Sequence, residues 1–213
     1  MSSEREEAFQ TARALSEDSK ADEAIEVLSK YTSDPEVSLS LPEMEVVNIV
    51  ITEKLTSSSF EEKKDACNAC ISLLEDVKPV KDAQWLLLYT ESIYETFSRM
   101  SRCAREEERQ LVWNRLKEIM YELTLASKHA WKDKNDPDRL SVYVSFAKLC
   151  KSYLDVADEE SFKMCDTMAK EAKFVGKGTL GDDQWKEANC AIDQIKKIIS
   201  DALHERELLD DSD

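Results

Sequence analysis

Apolar residues recur at helical spacing along almost the whole chain, and the residues that would interrupt such stripes are scarce. Ala188, Ile192, Ile195, Ile199 and Leu203 follow one another at steps of four, three, four and four. Trp85, Tyr89, Ile93 and Phe97 step by four each time, and Cys67, Cys70, Leu74 and Val77 by three, four and three. Val112, Leu116, Ile119, Leu123 and Ala126 form a further stripe. Each stripe gives a helix one apolar face for a core and leaves its charges outside. Only three glycines and four prolines occur in 213 residues, and the glycines all fall at Gly176, Gly178 and Gly181. A sheet protein needs many tight turns built from such residues. The fold class expected is therefore all-α, with short connections and antiparallel helical neighbours.

Boundary signals divide the stripes. Ser40-Leu-Pro-Glu43 has the spacing of a capping box. Asp136-Pro137 reads as an N-cap followed by proline at the first helical position. Pro35 and Pro79 stand between stripes. Nine helices are expected, at roughly 4–17, 20–31, 41–54, 57–77, 80–101, 105–132, 137–155, 159–174 and 182–207. The third and fourth have the weakest division between them. Together they read as one helical domain over residues 1–207, followed by an acidic, mobile tail over 208–213 without periodicity.

The balance of 29 basic and 45 acidic side chains gives a net charge of −16. A field of that sign repels nucleic acid and anionic lipid surfaces and favours basic protein segments. With 42% hydrophobic residues the chain has enough apolar material for a core, so the charge does not signal disorder. No stretch approaches the ~18 continuous apolar residues of a membrane span, and the opening Met1-Ser-Ser-Glu-Arg-Glu-Glu has no apolar run. Six dispersed cysteines then suggest free thiols in a reducing, cytoplasmic protein.

Catalytic and metal patterns are weak. Cys67-Asn-Ala-Cys70 has CxxC spacing, but it lies mid-helix on an apolar stripe and lacks a second ligand pair. Core packing is the reading it supports. His129 and His204 have no neighbouring set of nucleophile, base and orienting group. Lys177 in the glycine loop hints at an anion site before a helix, although the segment also reads as a plain connection. Trp85, Trp113, Trp131 and Trp185 sit on or beside stripes and read as packing residues. No enzyme activity, cofactor or metal is expected.

Several segments resemble the 14-3-3 adaptor family in the family's own order. Phe9-Gln-Thr-Ala-Arg-Ala-Leu-Ser-Glu17 with Lys20-Ala-Asp-Glu-Ala24 is similar to its first helix and the turn into its second. Asp65-Ala-Cys-Asn-Ala-Cys-Ile-Ser-Leu-Leu-Glu75 resembles the fourth helix. Ala126-Ser-Lys-His-Ala130, Asp136-Pro-Asp-Arg-Leu140 and Ser145-Phe146 resemble the segment that opens the seventh. Thr179-Leu-Gly-Asp-Asp-Gln-Trp-Lys186 resembles the entry to the ninth. The stretch from Pro42 to Phe60 is shorter than the family's pattern. A tetratricopeptide-like scaffold is the other helical architecture, but no self-similarity at a period of about 34 residues supports it.

The resemblance implies a nine-helix cup that dimerises and holds an extended phosphorylated segment of a client protein in a concave groove. It also implies where that groove has changed. The family's third-helix lysine falls at Thr52, and its Arg-Tyr pair from the fifth helix falls at Glu95 and Thr96. The asparagines that hold the peptide backbone fall at Ser145 and Ile198. Lys54 is the one nearby cation of the third helix that could compensate. The dimer contacts fall at Lys20, Glu23 and Glu62, with a lost basic partner at Ser58 and apolar contacts at Ala14 and Leu55. The function implied is an adaptor for protein or peptide clients, unphosphorylated or basic ones included, with phosphoserine recognition weakened or lost. It would act as a homodimer or as a heterodimer with other 14-3-3 subunits. A pseudo-adaptor that works only by such heterodimerisation is the alternative.

Overall fold

The computed structural model describes residues 2–33 and 38–210. Among these residues there are nine helices and no strand, so the all-α expectation holds. Pro35 and the last three tail residues lie outside the described residues. The helices gather into two compact units, Met1–Arg105 and Glu106–Asp213.

In the first unit, α1 (Ser2–Glu17) packs on α2 (Ala21–Thr32) and α3 (Leu41–Ser57). The helices α3 and α4 (Lys63–Glu75) both pack on α5 (Ala83–Cys103). Leu28, Met44, Ile51, Ile71, Leu74, Trp85, Tyr89 and Phe97 fill its core. The stripes of α4 and α5 meet here, and Cys67 and Cys70 are buried among them as free thiols. Three polar ties fix how the helices sit. Glu43 accepts from the Ser40 amide at 2.7 Å, the returning arm of the expected capping box, and also receives the Arg5 guanidinium of α1 at 2.6 and 2.9 Å. Asn48 of α3 donates to Ser92 of α5 at 3.0 Å. Tyr89 donates to the Leu74 carbonyl at 3.3 Å, sealing the end of α4.

Several helix ends differ from the sequence expectation. The α3 helix runs to Ser57, beyond 54, because Thr56, Ser57 and Ser58 return their hydroxyls to the carbonyls of Thr52, Glu53 and Lys54. The α4 helix starts at Lys63 rather than 57, and ends at Glu75 rather than 77. Its start is held by Glu62, whose carboxylate accepts from the amide and hydroxyl of Ser59 at 3.1 and 2.7 Å. The α5 helix starts at Ala83 rather than 80, where Asp82 accepts from the Trp85 amide at 2.9 Å. The real cap is Asp82, three residues past the proline that suggested the boundary.

In the second unit, α7 (Pro137–Ser152) packs on α8 (Glu159–Val175), α9 (Asp182–Asp210) and α6 (Glu106–Ala130). Asp136 caps α7 as expected, accepting from the amides of Asp138 and Arg139. Trp113 lies against Phe146 and Tyr153, with ring centroids 6.3 and 5.9 Å away. The carbonyls at the end of α7 are met from two sides. Arg109 of α6 donates to the Ser152 carbonyl at 2.9 Å and pairs with Asp155, and Arg206 of α9 donates to the Leu154 carbonyl at 2.8 Å. Asn135, 2% exposed, donates to the carbonyls of Gly176 and Lys177, tying the loop before α7 to the glycine loop. Gly176 ends α8 with φ 67°, which glycine adopts without strain. The α9 helix continues to Asp210, past the expected end at 207. Trp85, Trp113 and Trp131 are buried as expected, and Trp185 is half-buried.

Two consequences can be measured. Ser19, at φ 58°, closes α1 by a Schellman pattern, with the Lys20 amide on the Leu15 carbonyl and the Ser19 amide on Ser16. A side chain in that left-handed conformation is strained, so Ser19→Gly should stabilise the protein by roughly 0.5–1 kcal/mol in urea unfolding. Asp158 caps α8 through the Ser161 amide and pairs with Lys117 at 2.7 Å. Burial raises its pKa, but Lys117 and Ser161 outweigh that and hold it at about 2, below the ordinary 3.8. Its folded pKa is depressed, so its contribution is fully present above the ordinary value and is lost as pH falls from about 4 to about 2. Asp158→Asn should flatten the fall in thermal midpoint across that window.

Candidate peptide-binding site

The positions that the 14-3-3 resemblance would assign to phosphate contacts lie on α3 and α5 of the first unit. Thr52 is exposed on α3. Lys54, two residues on, has its ammonium 2.7 Å from Asp22 of α2, and its side chain is only 16% exposed. It is therefore engaged in joining α2 to α3. Glu95 of α5 pairs with Arg99 one turn later at 2.6 Å. The Arg99 guanidinium also donates to the Leu55 carbonyl at the end of α3. Thr96 is 0% exposed, and its hydroxyl has no hydrogen-bond partner. A ligand on the surface cannot reach it.

Of these positions, Glu95 alone lines a pocket of about 590 Å³ beside the start of α4. Arg99, Arg102, Lys63 and Lys64 line it too, with Glu61, Cys103 and the 85% exposed ring of Phe60. Lys63 lies 5.6 Å from the centre of that ring. Four cations against two carboxylates make this a basic spot on an acidic protein. Such a spot suits a segment that offers an apolar residue to Phe60 and mixed charges around it. The sequence reading missed Arg99 and Arg102. Their signal was present, since Glu95, Arg99 and Arg102 follow at helical steps along one face of α5.

The residues expected at a dimer contact separate into two groups. Ala14, Lys20, Glu23 and Glu62 are exposed, and Ser58 is half-buried. Leu55 is 2% exposed and belongs to the core of the first unit. It offers no surface to a second chain.

Ser145 and Ile198 are half-buried on α7 and α9 of the second unit. Neither lines the cavity of about 1440 Å³ that opens between α8 and α9 of that unit. Its walls carry Arg139 and Tyr143 of α7, Phe162 and Met168 of α8, and Ile199 of α9. Burial pushes the Tyr143 phenol up, with Ser127 and Arg139 pulling the other way.

Cys67 and Cys70, at CxxC spacing on α4, are buried free thiols. Burial pushes Cys67 up to about 11 and Cys70 up to about 12, so both stay protonated thiols at neutral pH. Among the described residues no group of three or more His, Cys, Asp or Glu side chains is placed to hold a metal, and no helix is long and apolar enough to cross a membrane. Lys177 pairs with Asp182 rather than standing open before α9. Thr96 supplies the test of this geometry. A buried hydroxyl without a partner is costly, so Thr96→Val, of similar shape, should stabilise the protein by about 1 kcal/mol in urea unfolding. A loss of stability would mean that the hydroxyl has a partner.

A family profile described as a domain of unknown function, DUF7758, matches residues 48–154. The match takes in Thr52, Lys54, Leu55, Glu95, Thr96, Arg139 and Ser145, and leaves out Ala14, Lys20, Glu23 and Ile198. A search of curated proteins finds no match. The matched segment is half of the 213 residues, and the chain belongs to the DUF7758 family.

Proposed function

We propose that the protein is a non-enzymatic, 14-3-3-like adaptor that binds segments of other proteins without depending on a phosphate. The observation that carries this reading is the Glu95–Arg99 ion pair beside the pocket of the first unit. A carboxylate stands where the resemblance puts a phosphate-binding arginine, and the nearest guanidinium is already held by that carboxylate and by the Leu55 carbonyl. The order of nine helices and the segments similar to 14-3-3 proteins support the adaptor class.

The magnitudes favour an unphosphorylated client. Removing one partner of a buried charge pair costs roughly 2–5 kcal/mol, and Thr52 and Glu95 replace two cations of the family's pocket. At ~5 Å and an effective dielectric of ~20, each unit of like charge costs a further 3 kcal/mol or so. Solvent lowers that figure here, since the Glu95 side chain is 41% exposed. Lys54 does not compensate while Asp22 holds it. Glu95 and Glu61 can each meet a basic residue of a client among the pocket's four cations, and an apolar residue suits Phe60.

Calorimetric titration of client peptides, each with and without a phosphate on serine, tests the reading. Phosphorylation should leave affinity unchanged or weaken it at physiological salt. Tightening by tenfold or more would refute the proposal, because it requires cations free to meet a dianion.

A further inference from the structure

The cavity of the second unit contains a charge that the protein itself does not balance. Arg139 is 4% exposed, yet no carboxylate pairs with it among the described residues. One of its terminal nitrogens donates to the Trp131 carbonyl at 3.2 Å, and its Nε is buried without a partner. One turn along α7, Tyr143 is 0% exposed, and its hydroxyl lies beside Ser127 and Arg139. Both side chains line the same cavity. A buried guanidinium is costly unless an anion meets it, and an arginine fork suits a carboxylate.

The rim points the same way. Lys134 is neutralised by Glu171 at 2.8 Å and Asp166 by Lys170 at 2.5 Å. Lys128, Lys163 and Lys196 have no ion pair among the described residues, against the equally unpaired Glu159 and Glu160. With Arg139 that leaves four cations facing two carboxylates, a local surplus of two positive charges on a chain of net −16. The floor is apolar, built from Phe162, Met168 and Ile199. At about 1440 Å³ the cavity is larger than a typical small-molecule site of roughly 300–1,000 Å³. Methionine lets such a floor adapt to a side chain.

We propose that this cavity is a docking site for an acidic segment of a partner protein, which seats one aspartate or glutamate carboxylate between Arg139 and Tyr143 and lays apolar residues on Phe162 and Ile199. The site is separate from the pocket beside Glu95, and it stands whether or not that pocket binds a client.

Selection from a random twelve-residue peptide library on the full chain tests it. The expected result is a family of peptides with an acidic residue at one fixed position among apolar ones. For such a peptide, replacing the acid by its amide should weaken binding tenfold or more. Tyr143→Phe removes a single hydroxyl and keeps the ring that fills the site, so the fold is kept, and affinity for the acidic peptide should fall several-fold. Arg139→Leu should abolish the difference between acid and amide. If that variant fails to fold, the Tyr143→Phe result and the chemical shifts of the α7 amides on titration decide the matter. Selected peptides without a fixed acid, equal binding of acid and amide, or shifts confined to the first unit would each overturn the proposal. So would competition by acetate at the concentration of the peptide, which would make this a site for small carboxylates.

Discussion

The last carbonyls of each helix need donors, and this chain has almost no glycine with which to turn back and supply them. Only α8 ends on glycine, at Gly176, while α1 uses Ser19 in a left-handed conformation. At the ends of α3, α4, α6 and α7 side chains from other helices do the work. Arg99 meets Leu55 at the end of α3, Tyr89 meets Leu74 at the end of α4, and Arg109 and Arg206 meet the end of α7. Arg139 meets Trp131 just past α6. A buried carbonyl left alone costs about 1–3 kcal/mol. Each of these bonds therefore seals one helix and docks a second against it.

That arrangement also decides which charges are open to a partner. Arg5, Lys54, Arg99, Arg109 and Arg206 are held by carboxylates or carbonyls of the protein itself. The acidic surplus is left to face solvent. Arg99 and Arg139 show the two outcomes of the same device. Arg99 has both a carbonyl and a carboxylate, so it is electrically satisfied and leaves Glu95 as its neutralised neighbour. Arg139 has a carbonyl and no carboxylate, so its charge remains available to whatever enters the cavity.

The local chemistry of many boundaries was legible in the sequence. The Ser40–Glu43 spacing and Asp136-Pro137 each set a helix start, because a cap depends on residues three or four positions apart. The extension of α3 through Thr56 and Ser57 was harder to read, since hydroxyls can either break a helix or bond back into it. The site was legible only in its substitutions. Glu95 could be placed by resemblance, but its pairing with Arg99, the capture of Lys54 by Asp22 and the burial of Leu55 all depend on neighbouring side chains in space.

By itself the sequence determined that the chain is helical, where most stripes face and that its surface is acidic, because periodicity, caps and charge are local or additive properties. The tertiary structure alone decided which cations are neutralised and which remain, because a carbonyl or carboxylate 30 or 40 residues away is invisible to local spacing. Lys54 and Asp22 are 32 positions apart and Arg99 and Leu55 are 44 apart, yet each pair is in direct contact. Arg139 lies inside a segment that looks like any other helix start, and only packing leaves its guanidinium buried beside the Tyr143 phenol with its Nε unpartnered.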